Sequence, residues 1–463
     1  MNRFIKKYSL TIITVVYCVI FCFLALYVGN YHEAWADEAQ SWLIARDTNF
    51  IEFIKTMRYE GTPFLWHMIL KMFILFGFNY EQLYYIPIIF TIIGIVFLFK
   101  NKNVPYLFKF LIPLTYFVFF QYTVVARSYC LIFPILMIIA YIYGNKEKHL
   151  VLYGILLTLL MNVSLHCTLI AGGLWLEFLY YIFKKYKTEK SLNKKELIFV
   201  GIIALLLLIT VIMIYPKKDC TYPRIVRYNF FEIISEATYT NSRNMILNVI
   251  GSVLVFGIII SIIKKENILG ILVILLPTIL LNLVITSSPW HIGIVFILIL
   301  FLIIINNSFK NKIVFVLLLS SIIVQMYWCA KSINYDINFS YSAGKEASNY
   351  IKQLDYKNKK IVGYCFHSVT LNAYFDENIY FNFDKAFYDW SRDSAEKTGW
   401  LYMSFLNRKE NIDIYIIPDY DTDDVISLIR KLEKNGYTKQ FFDGDMIVKD
   451  KIYEKTGFYI LEK

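Results

Sequence analysis

Apolar residues fill one uninterrupted stretch after another through the first two thirds of the chain, and then the pattern changes. Runs at about 8–28, 82–99, 105–121, 128–143, 149–165, 168–183, 196–215, 244–263, 267–286, 290–306 and 311–330 approach or reach the twenty or so residues that carry a helix across the hydrocarbon of a bilayer. About eleven transmembrane helices are predicted. Inside lipid every backbone polar group has to bond within its own helix, and Pro87, Pro134 and Pro277 are tolerated there when neighbours satisfy the freed carbonyls.

Between the first two runs the periodicity is different. Ala39, Trp42, Leu43, Phe50, Phe53, Ile54 and Met57 recur at three- and four-residue spacing, describing one helix lying on the membrane. The segment Thr62 to Phe78 is apolar but short, carries His67 and Lys71, and starts abruptly at Gly61-Thr62-Pro63. It is assigned as an interfacial helix rather than a span. That assignment puts Lys100, Lys102, Lys109, Lys146, Lys148, the cluster from Lys184 to Lys195, Lys264, Lys265, Lys310 and Lys312 on the cytoplasmic side, as the positive-inside rule asks. Asp37, Arg127, His166, His291 and the C-terminal segment then share the outer face.

From Lys331 the chain turns polar. Helices at 343–354 and 422–434, strands at 360–365 and 413–417, and short strands after Tyr437 predict a small α/β domain. The expected architecture is an α-helical polytopic protein of the cell membrane, with a transmembrane domain over 1–330, interfacial helices in its first outer loop and an extracytoplasmic α/β domain over 331–463. Basic Arg3, Lys6 and Lys7 precede the first run and no small-residue cleavage site follows it, so an uncleaved anchor with a cytoplasmic N-terminus is expected.

Composition agrees. The chain of 463 residues is 57% hydrophobic with a mean hydropathy of +0.50, beyond the range of soluble domains. Its net charge of +11 comes largely from loop lysines between spans, which excludes a nucleic-acid footprint. Seven cysteines show no paired or metal-ligand spacing and read as small apolar residues.

Chemistry concentrates in a few places. Asp37 and Glu38, in Trp35-Ala36-Asp37-Glu38-Ala39-Gln40, are adjacent acids just outside the first span. Asp37 is either a helix N-cap with Gln40 completing a capping box, or a carboxylate whose pKa is raised at a low-dielectric boundary and which takes a proton from an acceptor hydroxyl. Glu38 is its partner or a solvated helix residue. Glu60 and His67 flank the Gly61-Thr62-Pro63 break and are expected to hang over the outer surface near Asp37. Arg127 and Tyr129 open the fourth span, His166 lies at the outer end of the fifth and His291 opens the tenth, all on the same face. Lys217, Lys218, Arg224 and Arg227, with Arg243, gather there against the positive-inside trend. Basic groups at that depth suit a lipid phosphate.

The acid pair, the Gly61-Thr62-Pro63-Phe64-Leu65-Trp66-His67 element, Phe76-Gly77-Phe78, Ala126-Arg127-Ser128-Tyr129, Asn162 to His166 and Ser342-Ala343-Gly344-Lys345-Glu346-Ala347 together resemble GT-C glycosyltransferases of the family 39 type, akin to protein O-mannosyltransferases and the lipid A aminoarabinose transferase. The chain departs from that pattern in having Phe64 for a second proline and Trp290 before His291. The resemblance implies transfer of a sugar from a polyprenyl-phosphate lipid to a hydroxyl of a protein, lipid or wall-polymer acceptor, with inversion. Asp37 would be the general base and Arg127, His291 and one or more of Lys217, Lys218, Arg224 and Arg227 the cradle for the leaving phosphate. Some members use a divalent metal and others none, so the resemblance leaves a metal open. The other classes considered are a transporter or flippase of an envelope precursor, which would place charges at mid-membrane on several helices, and a non-catalytic scaffold.

Overall fold

The computed structural model describes residues 2–222, 228–239, 274–284, 288–399, 411–420, 422–449 and 451–463, with isolated positions between 249 and 260. Six helices are long and apolar enough to cross a membrane, namely Ser9–Gly29, Tyr80–Lys100, Ser128–Lys148, Leu165–Glu189, Lys194–Ile214 and Lys312–Asn338. The pair Tyr106–Leu114 and Tyr116–Val124, bent by 47° across Thr115, makes a seventh if it counts as one span. Leu65–Leu75, Leu150–Met161 and Pro289–Ile305 are apolar but shorter. The expectation of eleven is therefore met by six or seven among the described residues. The segments expected at 149–165 and 290–306 are two of the short helices, that at 244–263 lies largely outside the described residues, and that at 267–286 is described over 274–284, where a short helix runs Leu276–Val284.

The bundle has lipid-facing and central members. On the first helix, α1 (Asn2–Gly29), Ile12, Val15, Val16, Val19, Ile20 and Phe23 are exposed while Phe21, Ala25 and Val28 are buried. The helix Pro289–Ile305 is apolar all round and enclosed nearly everywhere, which marks it as the bundle's centre. It approaches the π-helical segment Tyr116–Val124 through Gly293, where a Cβ would meet Phe117 Cδ1 and the Tyr122 hydroxyl, each at 2.5 Å. The Tyr122 hydroxyl donates to the Trp290 carbonyl at 2.6 Å and completes the seam.

The first outer loop differs from its sequence pattern. In place of one surface helix there are two, α2 (Ala36–Asp47) and α3 (Phe50–Glu60), because Asn49 accepts from the amides of Ile51 and Glu52 while the Glu52 carboxylate accepts from the Asn49 amide. Gly61, at a φ of +63°, ends α3 in the left-handed region, as the sequence predicts for the break. The next helix, α4 (Leu65–Leu75), lies against α2, and its Lys71 donates to the carbonyls of Ala45 and Thr48 at 3.0 and 2.7 Å. That lysine satisfies the C-terminal end of α2, which accounts for a charge in an otherwise apolar helix.

The last long helix continues to Asn338, past the change in composition at Lys331. Beyond it, β1 (Ile361–Gly363) pairs parallel with β2 (Ile414–Pro418), and β6 (Phe458–Glu462) runs antiparallel between β2 and β3 (Thr438–Phe442). Strand β2 alternates, with Tyr415 and Ile417 under the helix Asp423–Lys434 and Ile414 and Ile416 joining the main core. The hairpin of β4 (Asp445–Val448) and β5 (Lys451–Lys455) sends Met446 and Val448 into that core, and the ammonium of Lys449 at its turn pairs with Glu236 of the helix Phe230–Tyr239.

The Gly293 seam predicts a contrast between two glycines. Gly293→Ala should lower the melting temperature of the detergent-solubilised protein, corresponding to about 1–3 kcal/mol of overpacking. Gly172→Ala, where no atom lies within 4 Å of the added Cβ, should be neutral or slightly stabilising.

Candidate active site

Asp37 and Glu38 occupy the second and third positions of α2, and their surroundings separate them. Trp35, not Asp37, precedes the helix as its N-cap, and Glu38 is the N3 residue whose carboxylate accepts from the Trp35 amide at 3.1 Å. The expected capping box of Asp37 with Gln40 is therefore not formed. Glu38 is enclosed, and its other oxygen accepts from the Ala126 amide at 2.7 Å. His32 closes the set, with Nε2 3.3 Å from Glu38 and Nδ1 3.1 Å from Asp336 near the end of the last long helix. Glu38 is not a solvated surface residue but a buried tie between α2, the chain entering Arg127 and, through His32, the final span.

Asp37 points to the other side of that tie. Its carboxylate lies 2.6 Å from Arg127 Nη2, and both side chains retain some exposure, 22% and 15%. Burial pushes the Asp37 carboxyl above its usual range, Arg127 pulls the other way, and Glu454 adds to the rise. The guanidinium sits in an aromatic box, 4.5 Å from the Trp290 ring centre, 5.2 Å from Tyr129 and 5.7 Å from Trp35. Among the described residues, Arg127 Nη1 and the indole nitrogens of Trp35 and Trp290 are buried without an acceptor. Such donors are costly unless something supplies oxygens.

The histidines follow from the box. The Tyr129 hydroxyl is hydrogen-bonded to His291 Nε2 at 2.7 Å, and the His291 ring stacks on His166 at 4.8 Å. Asp37, Arg127, Tyr129, His166 and His291 thus form one connected group. It sits at one end of the bundle, since Ser128–Lys148 runs roughly 30 Å from Arg127 to the basic pair Lys146 and Lys148. The Phe108 and Phe309 ring centres lie 4.9 Å apart, so the short helix Tyr106–Leu111, which carries the buried Lys109, meets the turn that carries Lys310.

Other expected members stand elsewhere. Glu60 does not hang over the surface: it accepts from Gln40 at 2.8 Å, and Gln40 also brackets the backbone of Tyr388. Burial pushes Glu60 up to about 8, against the Gln40 hydrogen bond, and the charges of Asp37 and Asp389 add to the rise. His67 is buried edge-on to Phe53 with no polar partner for either ring nitrogen among the described residues, and burial lowers it to about 4, so it is a neutral packing residue. Lys217 stands 4.5 Å over the Tyr59 ring and Lys218 is exposed. Arg224, Arg227 and Arg243 lie outside the described residues. No group of three or more His, Cys, Asp or Glu suited to a metal ion occurs among the described residues.

His32, Asp336, Trp35 and Trp290 are the residues the sequence did not single out. An acid at the end of an apolar run is a signal of the kind that marked Asp37, and Asp336 carries it. The pairing with His32 has no local trace.

The network predicts a pH dependence of stability. Burial disfavours charge on His32, yet Asp336 and Glu38 outweigh it and raise the imidazole from 6.5 to about 10. Its contribution is full below pH 6.5 and is lost as pH rises through 10. Glu33 and Glu60, raised by burial from 4.5 to about 7 and about 8, act in the same sense but are exhausted above pH 8. Thermal stability should therefore keep falling between pH 8 and 9.5, and His32→Gln should flatten that slope while costing about 3–5 kcal/mol at neutral pH by stranding two carboxylates. Comparison of the chain with protein-family models, with curated proteins and with solved structures gives no match, so its chemistry rests on this geometry.

Proposed function

We propose that the chain is a GT-C-like integral-membrane glycosyltransferase that moves a sugar from a polyprenyl-phosphate lipid to an acceptor hydroxyl at the outer face of the membrane. The observation that carries this is the Asp37–Arg127 pair beside three buried N–H groups that lack acceptors among the described residues, set at one end of a bundle of apolar helices. A guanidinium with an unused edge and two indole donors match the oxygens of a lipid phosphate. A carboxylate next to them, raised by burial, matches a proton acceptor.

In the proposed reaction the acceptor hydroxyl gives its proton to Asp37 as its oxygen attacks the anomeric carbon. The bond from that carbon to the phosphate oxygen breaks on the opposite face, and the electron pair leaves with the phosphate, held by Arg127 and the indoles. One displacement inverts the anomeric centre. Arrival of the phosphate gives Arg127 a second anion and loosens its hold on Asp37, which frees the base when the donor is in place. Tyr129, His291 and His166 back the guanidinium from the membrane side.

The positive-inside rule assigns the lysine-bearing end to the cytoplasm and the Asp37 end to the outside. Polar groups concentrated at one end count for an enzyme at the interface rather than a carrier with charges at mid-membrane.

Asp37→Asn should cut turnover of lipid-linked sugar in membranes by about 10²–10⁴-fold, with the melting temperature little changed. Arg127→Gln should weaken binding of polyprenyl phosphate in nanodiscs by about tenfold or more. Turnover by Asp37→Asn at the wild-type rate would discard the assignment.

A further inference from the structure

The break at Asn49 lets α3 fold back along α2, so Glu60 at its end returns to the helix that carries Asp37. Asp37 and Gln40 are three residues apart on one face of α2, and the Gln40 amide holds Glu60 Oε1 at 2.8 Å. Two further segments close on the same point. Gln40 also takes the Tyr388 carbonyl at 2.6 Å and the Tyr388 amide at 2.9 Å. The chain after Ile214 is tied to the end of α3: the Tyr59 hydroxyl donates to Asp219 and the Cys220 thiol to the Tyr59 carbonyl. The Thr221 amide then donates to the Trp390 carbonyl at 2.8 Å. Glu60 sits where α2, α3 and the segments 215–222 and 388–390 meet.

The charges at that junction do not balance. Asp37 faces Glu60 from α2 and Asp389 from the 388–390 segment, while Cys220 and Tyr222 face it from the 215–222 segment and are kept protonated by burial. The nearby cations are engaged elsewhere. Arg127 is on Asp37 at 2.6 Å and Lys385 on Asp389 at 3.5 Å, Lys217 stands over the Tyr59 ring, and Arg58 donates to the Tyr215 carbonyl. Among the described residues Glu60 is held by the neutral amide of Gln40 and by no cation. Two neighbouring carboxyl groups with a cation on only one are costly to ionise together. Arg127 favours charge on Asp37, and burial with the charges of Asp37 and Asp389 takes Glu60 from 4.5 up to about 8, against the Gln40 hydrogen bond.

We propose that Glu60 is the neutral companion of Asp37, an un-ionised acid that holds the junction at one fewer negative charge so that the donor phosphate meets Arg127 without a second free carboxylate beside it. This rests on the glycosyltransferase assignment. Glu60 is a positioning residue, acting through the field at Asp37 and Arg127. Loss of its proton to water adds a charge that repels the phosphate, whereas Asp37, already ionised, keeps its function as base.

The test uses the full chain in nanodiscs titrated with extracted lipid-linked sugars, whose phosphodiester keeps one charge throughout, with an envelope extract as acceptor. Release of polyprenyl phosphate is followed by mass spectrometry from pH 6.5 to 9.5. The half-saturating concentration of lipid-linked sugar should rise about tenfold with a midpoint at about 8, while the maximal rate stays within about threefold. Glu60→Gln, which can still accept from Gln40 but cannot ionise, should abolish the rise. Asp389→Asn removes one charge that keeps Glu60 protonated and should move the midpoint down by about half a pH unit, and it decides if Glu60→Gln lowers the melting temperature sharply. With Asp37→Asn inactive, a half-saturating concentration that stays level to pH 9.5 in wild type, a rise that persists in Glu60→Gln, or an unmoved midpoint in Asp389→Asn overturns this inference alone. A wild-type chain that releases no polyprenyl phosphate at any pH overturns the glycosyltransferase assignment and this inference with it.

Discussion

One buried carboxylate, Glu38, sets the geometry on which the candidate site depends. Its two oxygens take the amides of Trp35 and Ala126 and the His32 ring, so a single side chain fixes where α2 begins and where the chain turns into Arg127. An enclosed carboxylate is tolerable only with compensation, and the imidazolium of His32 provides it while carrying the constraint on to Asp336. The consequence falls on the neighbouring residue. With Glu38 committed inward, Asp37 faces Arg127, and two adjacent acids of similar intrinsic chemistry acquire different roles from environment alone.

The membrane explains why the arrangement sits at the end of the bundle. A charge at mid-bilayer needs a partner or a water-filled path, whereas a guanidinium at a helix terminus keeps one edge near the boundary and stacks its faces on rings. Trp35, Tyr129 and Trp290 surround Arg127 in that way. The π-helical segment Tyr116–Val124 delivers the arginine: its wider turn sits against Gly293, where no side chain fits, and the chain leaves it two residues before Arg127. Packing in the apolar centre thereby determines where a surface charge points.

Much of the fold was legible because it follows from local rules. Six or seven of the eleven apolar runs became helices long enough to span a membrane among the described residues, the Gly61 break held, and the two helices and strands of the C-terminal segment fell within a few residues of their periodic patterns. The misses share a physical cause. The break at Asn49 is a cap inside a stretch whose apolar spacing reads continuously, so the side chain's competition with the helix backbone won over periodicity. His67 and Glu60 were placed by loop polarity, yet the first is packed on Phe53 and the second held by Gln40. Convergence of Arg127, Tyr129 and His291 followed from their shared level at helix ends. The partnership of His32 with Asp336, 304 residues away, follows from nothing local.

The C-terminal domain completes the same logic at a larger scale. Its hairpin β4–β5 is fastened at the turn by Lys449 to Glu236, over the ring of Tyr116 in the π-helical segment that leads to Arg127. Glu454 and Tyr453 lie on the returning strand of that hairpin. A buried ion pair is poor glue in net free energy, but losing one partner strands the other, so it selects one docked position over neighbouring ones. The position selected is the one that brings His367 onto Trp35 and Tyr453 onto Trp290. The domain and the bundle therefore do not meet as two surfaces that happen to touch: the groups that align them and the groups that face Asp37 belong to one hairpin, and a shift in docking is at once a shift in the site.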